Sequence, residues 1–238
     1  MKLGTVAGAA SLVPIAASRA ALGSQNAVAT GANPAHLHRR PAGAPVVTGA
    51  AASVVPFSVA MPVPPTLQPL FRSPLTDFYL LDTKDGSEEL LPGTRTPVLG
   101  YGGSYVGPTI RAKSGRRVVI RHRNRTTAQT AVHLHGGHVP ANSDGYPLDV
   151  INPGECRTYE YPNRQPGATL WYHDHAHHLE AEHVYRGMHA FYLLEGADEA
   201  GLRLPSGEFD VPVMLTDARF ADDASLIFEP PGSSWRPC

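Results

Sequence analysis

Two stretches of the chain decide the prediction of its fold: VHLHGG at residues 132–137 and LWYHDHA at residues 170–176. In an extended strand successive side chains point to opposite faces, so residues two apart share a face. Val132 and Leu134 can therefore enter a core, while His133 and His135 gather on the opposite side. This alternation predicts a half-buried strand that presents two imidazoles together.

The second stretch repeats the His-X-His spacing with His173 and His175. It is entered through Leu170, Trp171 and Tyr172, which favour a buried strand. We interpret Trp171 and Tyr172 as packing residues rather than electron carriers. The two strands together predict that four imidazoles converge on one side of a β-sandwich: His133, His135, His173 and His175.

Imidazoles that converge in this way indicate a metal site. A lone histidine on a strand is more often a hydrogen-bonded core or surface residue, and that interpretation suits His122, His138 and His189. Paired histidines are different, because imidazole binds copper, zinc, iron and nickel. Neither stretch contains a thiolate, so ligand type leaves the metal open between copper and zinc.

The composition predicts a globular and mostly β protein. The chain has 238 residues, of which 42% are hydrophobic, and this is enough to fill a core. With 23 glycines, 23 prolines and 8% aromatic residues, it favours short strands and many turns over long helices. The net charge of -1 and the scattered basic residues do not indicate a nucleic acid partner.

The N-terminal part predicts a targeting segment followed by a linker. Residues 1–30 contain Lys2, an apolar Ala-rich run and then small residues, and they are too weakly hydrophobic to span a bilayer as a mature helix. They resemble a twin-arginine signal without its arginine pair. We expect export to the periplasm or the extracellular space, with a disordered arm as the alternative. Residues 31–60 are rich in Ala, Gly and Pro and predict a linker.

Residues 61–200 predict one domain of short strands that carries both histidine motifs. Strands are expected at residues 77–82, 109–113, 117–123, 157–161 and 188–194. A charged turn is expected at residues 84–87, irregular Gly-rich structure at 98–105, and one or two helical turns at 180–185 that end at Gly187. Short strands separated by turn residues predict an antiparallel sandwich or a Greek-key barrel.

Residues 201–238 predict the incomplete start of a second domain. We expect a strand at residues 210–215 and a hairpin at 222–225. Roughly thirty residues are too few for an independent fold, so residues 209–238 are expected to be weakly anchored. Cys238 is interpreted as the edge of a truncation or frame change. Cys156 follows a turn and is expected to be a half-buried structural thiol.

Several motifs together resemble a known family. They are VHLHGG, SDGYP, the PGE turn, LWYHDHA, VYRGM and FYLLEG, supported by MPVPPTLQP, GPTIRAKSG and LPSGEFDVPVMLTD. Over about residues 61–230 the chain resembles the N-terminal part of multicopper oxidases, in the branch of spore-coat laccase, bilirubin oxidase and phenoxazinone synthase. The resemblance implies an all-β, cupredoxin-like Greek-key sandwich or barrel, followed by the truncated start of a second such domain.

The resemblance also implies a copper site with assigned ligands. His133 matches a ligand of the type 2 copper, and His135, His173 and His175 match ligands of the paired type 3 coppers. Asp144 matches a carboxylate beside the copper-bound water, where it would orient a ligand or relay a proton. The alternative for Asp144 is an Asx-turn that stabilises its loop.

The chain departs from the family pattern in two respects. Additional imidazoles flank the motifs, and none is counted as a ligand: His138, His177, His178, His183 and His189. No cysteine is flanked by histidines, so the type 1 copper site that accepts electrons from substrate is missing from this sequence. The chain carries four ligands of the trinuclear cluster and no site of electron entry.

Two functions remain open. The first is the N-terminal, copper-binding portion of an oxidase that oxidises phenolic or aminophenolic compounds and reduces O2 to water, inactive without its C-terminal half. The second is a copper-binding module without turnover, or a truncated gene product. A zinc hydrolase ranks third. Metallo-β-lactamase-like sites use an HxHxDH motif, which this sequence lacks. An amidohydrolase with a (β/α)8 barrel needs helices that the sequence does not predict.

Overall fold

Nine strands form two sheets in the computed structural model, which describes residues 60–199 and 201–229. The strands are β1 (Phe71–Arg72), β2 (Thr76–Glu88), β3 (Thr96–Tyr101), β4 (Ile110–Lys113), β5 (Arg117–Asn124), β6 (Val132–His135), β7 (Cys156–Tyr161), β8 (Ala168–Asp174) and β9 (His189–Glu195). One α-helix, α1 (Glu180–Arg186), joins β8 to β9. Short 3-10 turns occupy Ala141–Ser143, Ala197–Glu199 and Gly207–Phe209. The predicted signal segment, the linker up to residue 59 and Cys238 lie outside the described residues.

The two sheets are open rather than closed into a barrel. One has the order β1-β2-β5-β7, with β3 pairing along the second half of β2. The other has the order β4-β9-β8-β6. The predicted all-β class is confirmed, and β6 and β8 are neighbours at one edge of the second sheet.

The expectation of purely antiparallel sheets is wrong for two pairs of strands. β2 and β5 run parallel, with Thr76 opposite Arg117, and β4 and β9 run parallel, with Ile110 opposite Tyr192. A parallel pair needs a crossover connection, and here the intervening strands of the sandwich provide it. Alternation along one strand is the same for either direction, so the sequence pattern could not distinguish them.

Tyrosines dominate the core that joins the two sheets. Its largest fully buried side chains are Tyr101, Tyr159, Tyr161, Tyr172 and Tyr192, packed with aliphatic residues of both sheets. Two of the tyrosine hydroxyls find buried acceptors, because Tyr172 donates to the carbonyl of Pro108 and Tyr192 to the side chain of Asn163. This core supports the face of β6 and β8 opposite the histidines.

The predicted turn at residues 84–87 is corrected. The irregular structure predicted at 98–105 is corrected for residues 98–101, which belong to β3, whereas residues 102–105 form turns and bends. β2 continues to Glu88 and pairs with β3, so that Lys84 lies opposite Gly100. A Cβ atom at Gly86 would lie 1.8 Å from the carbonyl oxygen of Gly103, and one at Gly100 would lie 1.8 Å from that of Ser104. Gly86 and Gly100 therefore mark close approaches of the backbone within paired strands, and not breaks in them.

The helix end and the C-terminal hairpin agree with the sequence, but the predicted strand at residues 210–215 does not. Gly187 ends α1 with φ of 123°, and a bridge between Phe220 and Leu226 closes the hairpin. Residues 210–215 pair with no strand of the described chain. An alternating pattern makes a segment able to pair, but pairing also requires a free edge in reach.

Cys156 is exposed, which corrects the expectation of a half-buried thiol. It begins β7, an edge strand, on a side that faces away from the core. Its sulfur accepts hydrogen bonds from Nε and Nη2 of Arg121, at 3.2 and 2.8 Å.

No helix in residues 60–199 and 201–229 is long and apolar enough to cross a membrane.

Candidate metal centre

The antiparallel pairing of β6 and β8 brings the two His-X-His runs side by side. His133 lies opposite His173, and His135 lies opposite Trp171. Side chains directly across such a pair project from the same face, so histidines of both strands share one side of the sheet. The other side enters the core and carries Val132, Leu134 and Tyr172. Burial of this apolar side therefore fixes the side on which the imidazoles gather.

The four imidazoles form one cluster of rings. One ring nitrogen from each of His133, His135 and His173 lies within 4.8 Å of the others. Within this trio Nδ1 of His135 is 3.3 Å from Nε2 of His173. His175 follows directly after β8, and its ring centroid is 5.2 Å from that of His133 and 5.6 Å from that of His173. These spacings are ones that bound metal ions could bridge.

Backbone carbonyls orient two of the rings. Nδ1 of His133 lies 2.5 Å from the carbonyl oxygen of Asp144, and Nδ1 of His173 lies 2.7 Å from that of Asp174. A carbonyl only accepts, so each Nδ1 carries the proton and donates it. Nε2 of both rings is then the unprotonated nitrogen. This is how metal-binding histidines are usually held.

His173 is also kept neutral. Its burial lowers its pKa to about 4, and the neighbouring His133, His175 and His135 add to this effect. A metal ligand must be the unprotonated imidazole, so no proton has to be displaced from His173 near neutral pH. The donor set, the ring orientations and the protonation of His173 all fit a metal ion.

Asp174, the residue between His173 and His175, is a buried clamp that the sequence analysis did not single out. Its carboxylate is fully buried. Oδ1 accepts from the backbone N–H of Ala131, 2.8 Å away, and Oδ2 accepts from that of Ala176 at 3.1 Å and from Nδ1 of His183 at 2.9 Å. The clamp ties together the backbone just before β6, the turn after His175 and α1. The signal in the sequence that could have identified Asp174 is its position between two histidines. Strand alternation places its side chain on the side opposite the histidines, which is the core side.

Trp171 packs against the histidine cluster. Its ring stacks on His173 with centroids 4.1 Å apart and on His135 with centroids 5.1 Å apart. Trp171 occupies the position across from His135 in the ladder, so its indole covers one flank of the cluster. The contact agrees with the prediction of a packing role.

Asp144 lies beside His133, but its main chain makes the closer contact. Its carboxylate oxygen is 3.5 Å from Nδ1 of His133, and the side chain is about half exposed. The following residue, Gly145, has φ of 77°, and a Cβ atom there would lie 2.1 Å from the carbonyl oxygen of Val132. Glycine therefore allows the loop to lie flat against β6 and brings the carbonyl of Asp144 to the ring of His133.

The other six histidines of the described residues lie apart from the trio of converging nitrogens. His138, His177 and His178 are exposed, and the rings of His177 and His178 lie 3.8 Å apart. His183 is buried as the partner of Asp174, while His122 and His189 are buried in the interior. Burial lowers the pKa of both His122 and His189, to about 3 for His122.

Comparisons with known proteins identify a group of similar proteins. A family model for multicopper oxidases matches residues 83–199. The bilirubin oxidase of Albifimbria verrucaria is 38% identical over 180 residues, which cover 72% of this chain and 32% of that protein. A laccase of Bacillus subtilis is 35% identical over 205 residues, which cover 72% of this chain and 40% of that protein. The chain thus spans about a third of the length of these relatives.

The solved structures lead to the same group. The crystal structure of a multi-copper oxidase from Pediococcus acidilactici aligns with a TM-score of 0.66 and 30% identity, covering 70% of this chain and 36% of that one. This likeness confirms the predicted cupredoxin-like fold. Copper is the metal for which the family is named, so it takes precedence over zinc. With its fold, its histidine cluster and its relatives in agreement, the chain belongs to the multicopper oxidase family.

Proposed function

We propose that this chain is the N-terminal, copper-binding part of an oxidase that takes electrons from phenolic or aminophenolic donors and reduces O2 to water. The observation that carries the proposal is the set of three ring nitrogens, from His133, His135 and His173, within 4.8 Å of one another. Family membership supports copper as the metal. Reduction of O2 to water takes four electrons, and several copper ions held close together can supply them without releasing partly reduced oxygen.

The histidines divide into two groups by their proposed roles. His133 is assigned to the type 2 copper, and His135, His173 and His175 are assigned to the type 3 pair. The backbone carbonyls that hold Nδ1 of His133 and His173 leave Nε2 of each ring to face the metal. Trp171 covers one flank of the rings and limits the access of water there. The chain thereby orients the rings of His133 and His173 before metal binds.

Asp144 is the proposed proton relay. Its half-exposed carboxylate is in contact with solvent and lies 3.5 Å from Nδ1 of His133. A carboxylate in this position can exchange protons with bulk water and hold one beside the oxygen-reducing site. In the whole protein, Asp144→Asn should lower the rate of oxygen uptake while the copper content stays the same. Loss of copper instead would assign Asp144 a structural role.

The donor's electrons enter elsewhere in this proposal. These 238 residues contain no cysteine flanked by histidines, and Cys156 contacts Arg121 rather than a histidine. A type 1 site needs a thiolate with imidazoles beside it. We therefore assign turnover to the whole protein. These 238 residues, tested alone, should bind copper and sustain no oxidation of phenols.

A copper titration of the 238-residue chain, followed by oxygen-uptake measurements with a phenolic donor, tests the proposal. We expect copper binding without the blue thiolate-to-copper absorption and without sustained uptake. The variant His133→Ala with His173→Ala should lose the binding. The variant His138→Ala with His177→Ala removes two exposed imidazoles and is the matched control that should keep it.

The outcomes separate the candidate functions. Uptake that appears only when the remaining part of the protein is supplied supports the oxidase. Copper binding with no uptake even in the whole protein supports the alternative, a copper-binding module without turnover. Robust uptake by the isolated chain, abolished in the paired histidine variant, would contradict the assignment of turnover to the whole protein.

We also propose that the protein is exported to the periplasm or beyond the cell. The proposal rests on the apolar, Ala-rich sequence of residues 1–30. Fractionation of cells that express the chain with and without these residues tests it. Retention of both forms in the cytoplasm would contradict it.

A further inference from the structure

Glu180 begins α1 and directs its carboxylate toward the histidine cluster. Its backbone N–H donates to the carbonyl of Ala176, 3.1 Å away, which places the start of the helix directly after the second His-X-His run. Oε2 lies 3.3 Å from Nδ1 of His175, and Oε1 lies 4.0 Å from Nδ1 of His173. The side chain is about half exposed. A carboxylate therefore stands within reach of two of the proposed ligands.

The Nδ1 atoms of three proposed ligands differ in their partners. Nδ1 of His133 and Nδ1 of His173 each have a backbone carbonyl within 2.7 Å. Nδ1 of His175 is buried and makes no hydrogen bond within the described residues. The Glu180 carboxylate lies 3.3 Å from this nitrogen. Among the described residues His135 also lacks a carbonyl partner, but its Nδ1 lies against Nε2 of His173. His175 is thus the proposed ligand whose Nδ1 has no hydrogen-bond partner in the described chain and lies beside a carboxylate.

We propose that Glu180 is a positioning residue, whose carboxylate accepts a hydrogen bond from Nδ1–H of His175 and so presents Nε2 of that ring to copper. The inference rests on the proposed function, because it assumes that His175 binds the metal. The 3.3 Å contact is already within hydrogen-bonding distance, so a small rotation of either side chain would align it into a hydrogen bond. The carboxylate then fixes the tautomer of His175, holds the plane of its ring and makes it a more basic ligand.

The charge of Glu180 has a second effect. Copper ions bring positive charge into a cluster whose four imidazoles are neutral as ligands. Asp174 is buried on the opposite side and is already engaged by three donors. Glu180 therefore supplies negative charge on the side of His173 and His175, where two proposed type 3 ligands lie. Removing this charge should weaken copper binding more than removing an equal charge elsewhere on α1.

Two measurements on the full 238-residue chain test the proposal. The first is the nitrogen NMR spectrum of the metal-free chain, which reports whether the proton of the neutral His175 ring is on Nδ1 or Nε2. The second is a copper titration against a competing chelator. The variants are Glu180→Ala, which removes the acceptor and the charge, and Glu180→Gln, which keeps an acceptor oxygen. Glu182→Ala is the matched control, because it removes an equal charge that pairs with Arg186 on the same helix.

We expect the wild-type His175 ring to carry its proton on Nδ1. In Glu180→Ala the proton should redistribute toward Nε2, and copper affinity should fall by about 10-fold or more. Glu180→Gln should keep the tautomer and lose less affinity, and Glu182→Ala should match the wild type. Unchanged tautomer and unchanged affinity in Glu180→Ala would overturn the inference.

The two proposals fail in distinguishable ways. If the wild-type chain binds no copper through its histidines, the proposed function fails, while the tautomer of metal-free His175 still shows whether Glu180 holds the ring. If the wild type binds copper and Glu180→Ala and Glu182→Ala weaken it equally, the proposed function stands and the positioning role of Glu180 is wrong.

Discussion

The β6–β8 pair and the segment at residues 209–215 show similar sequence patterns and opposite structures. Both alternate apolar residues with others. In the pair, the apolar residues Val132 and Leu134 are 0% and 1% exposed. In the segment, Phe209 and Leu215 are 73% and 92% exposed. The difference shows that alternation makes a segment able to pair, whereas a neighbouring strand and a core decide whether it does.

The rest of the C-terminal part is attached better than residues 209–215. Phe220 and Leu226 pack near Val98 and Tyr105, and the hydroxyl of Thr96 donates to the buried carbonyl of Ala224 at 2.8 Å. By contrast, Asp210 is held mainly by an exposed ion pair with Arg111, and such pairs contribute little to stability. The unpaired segment is therefore bounded by anchored structure on its C-terminal side.

Hydrogen exchange should show the largest difference between the two regions. Amides of β5 lie between β2 and β7, so they should open only with global unfolding. Amides of residues 210–215 have no strand partner in the described chain and should exchange at nearly the rate of an unfolded peptide. Comparable protection in the two segments would show that residues 210–215 are paired after all.

Matched leucine substitutions should show the same contrast in stability. Leu134→Ala leaves a cavity beneath the histidine face and should lower the free energy of unfolding by about 2–5 kcal/mol. Leu215→Ala removes an exposed side chain and should change it by no more than about 0.5 kcal/mol. Denaturant titration of both variants provides the measurement. A similar loss in both would mean that Leu215 packs against a core.

The pH dependence of unfolding should arise from the sheets and not from the C-terminal part, which has no histidine in residues 201–238. Burial lowers the pKa of His122 to about 3, whereas the ring in an unfolded chain titrates near about 6.5. Between these two pKa values the ring is protonated in the unfolded state and neutral in the folded state. The free energy of unfolding therefore decreases as the pH falls from the unfolded-state pKa to the folded-state pKa.

His122→Phe tests this source of pH sensitivity in the metal-free chain. The wild type should lose up to about 1.4 kcal/mol per pH unit in that window from this ring. The variant should show a shallower slope, and His138→Phe, at an exposed position, should keep that of the wild type. Equal slopes in wild type and His122→Phe, measured by denaturant titration at several pH values, would contradict a neutral buried ring.

Alanine substitutions at two glycines with positive φ, Gly145 and Gly207, should give the smallest difference in stability between the two regions. Gly145→Ala forces a Cβ atom to within 2.1 Å of the Val132 carbonyl, and Gly207→Ala meets nothing within 4 Å. Each substitution should lower the free energy of unfolding by about 1–2 kcal/mol, because alanine is disfavoured in the left-handed backbone conformation. Only Gly145→Ala must also displace the loop from β6, so it should cost more and should weaken copper binding through His133. Equal costs in thermal unfolding would mean that the loop adjusts freely.

Much of the histidine site was predictable, because its pattern is local. The spacing of two residues places His133 and His135 on one face, and the apolar residues between them choose that face. The same reasoning overlooked Asp174 and Glu180. Their partners lie just before β6, on α1 and beyond the end of β8. A local sequence pattern does not predict contacts between separate elements. The irregular structure expected at residues 98–105 was wrong for residues 98–101, because Gly100 was interpreted by propensity alone.

The sequence by itself determined the β class, the face on which each histidine lies and the family, since these follow from two-residue periodicity and short motifs. Only the tertiary structure decided that His133 lies opposite His173, that β2 pairs with β5 in parallel, and that residues 210–215 remain unpaired. Strand direction, register and partner depend on contacts between residues far apart in the chain. The free energy of those contacts depends on which surfaces are buried together, and the sequence of a single strand does not specify its neighbour.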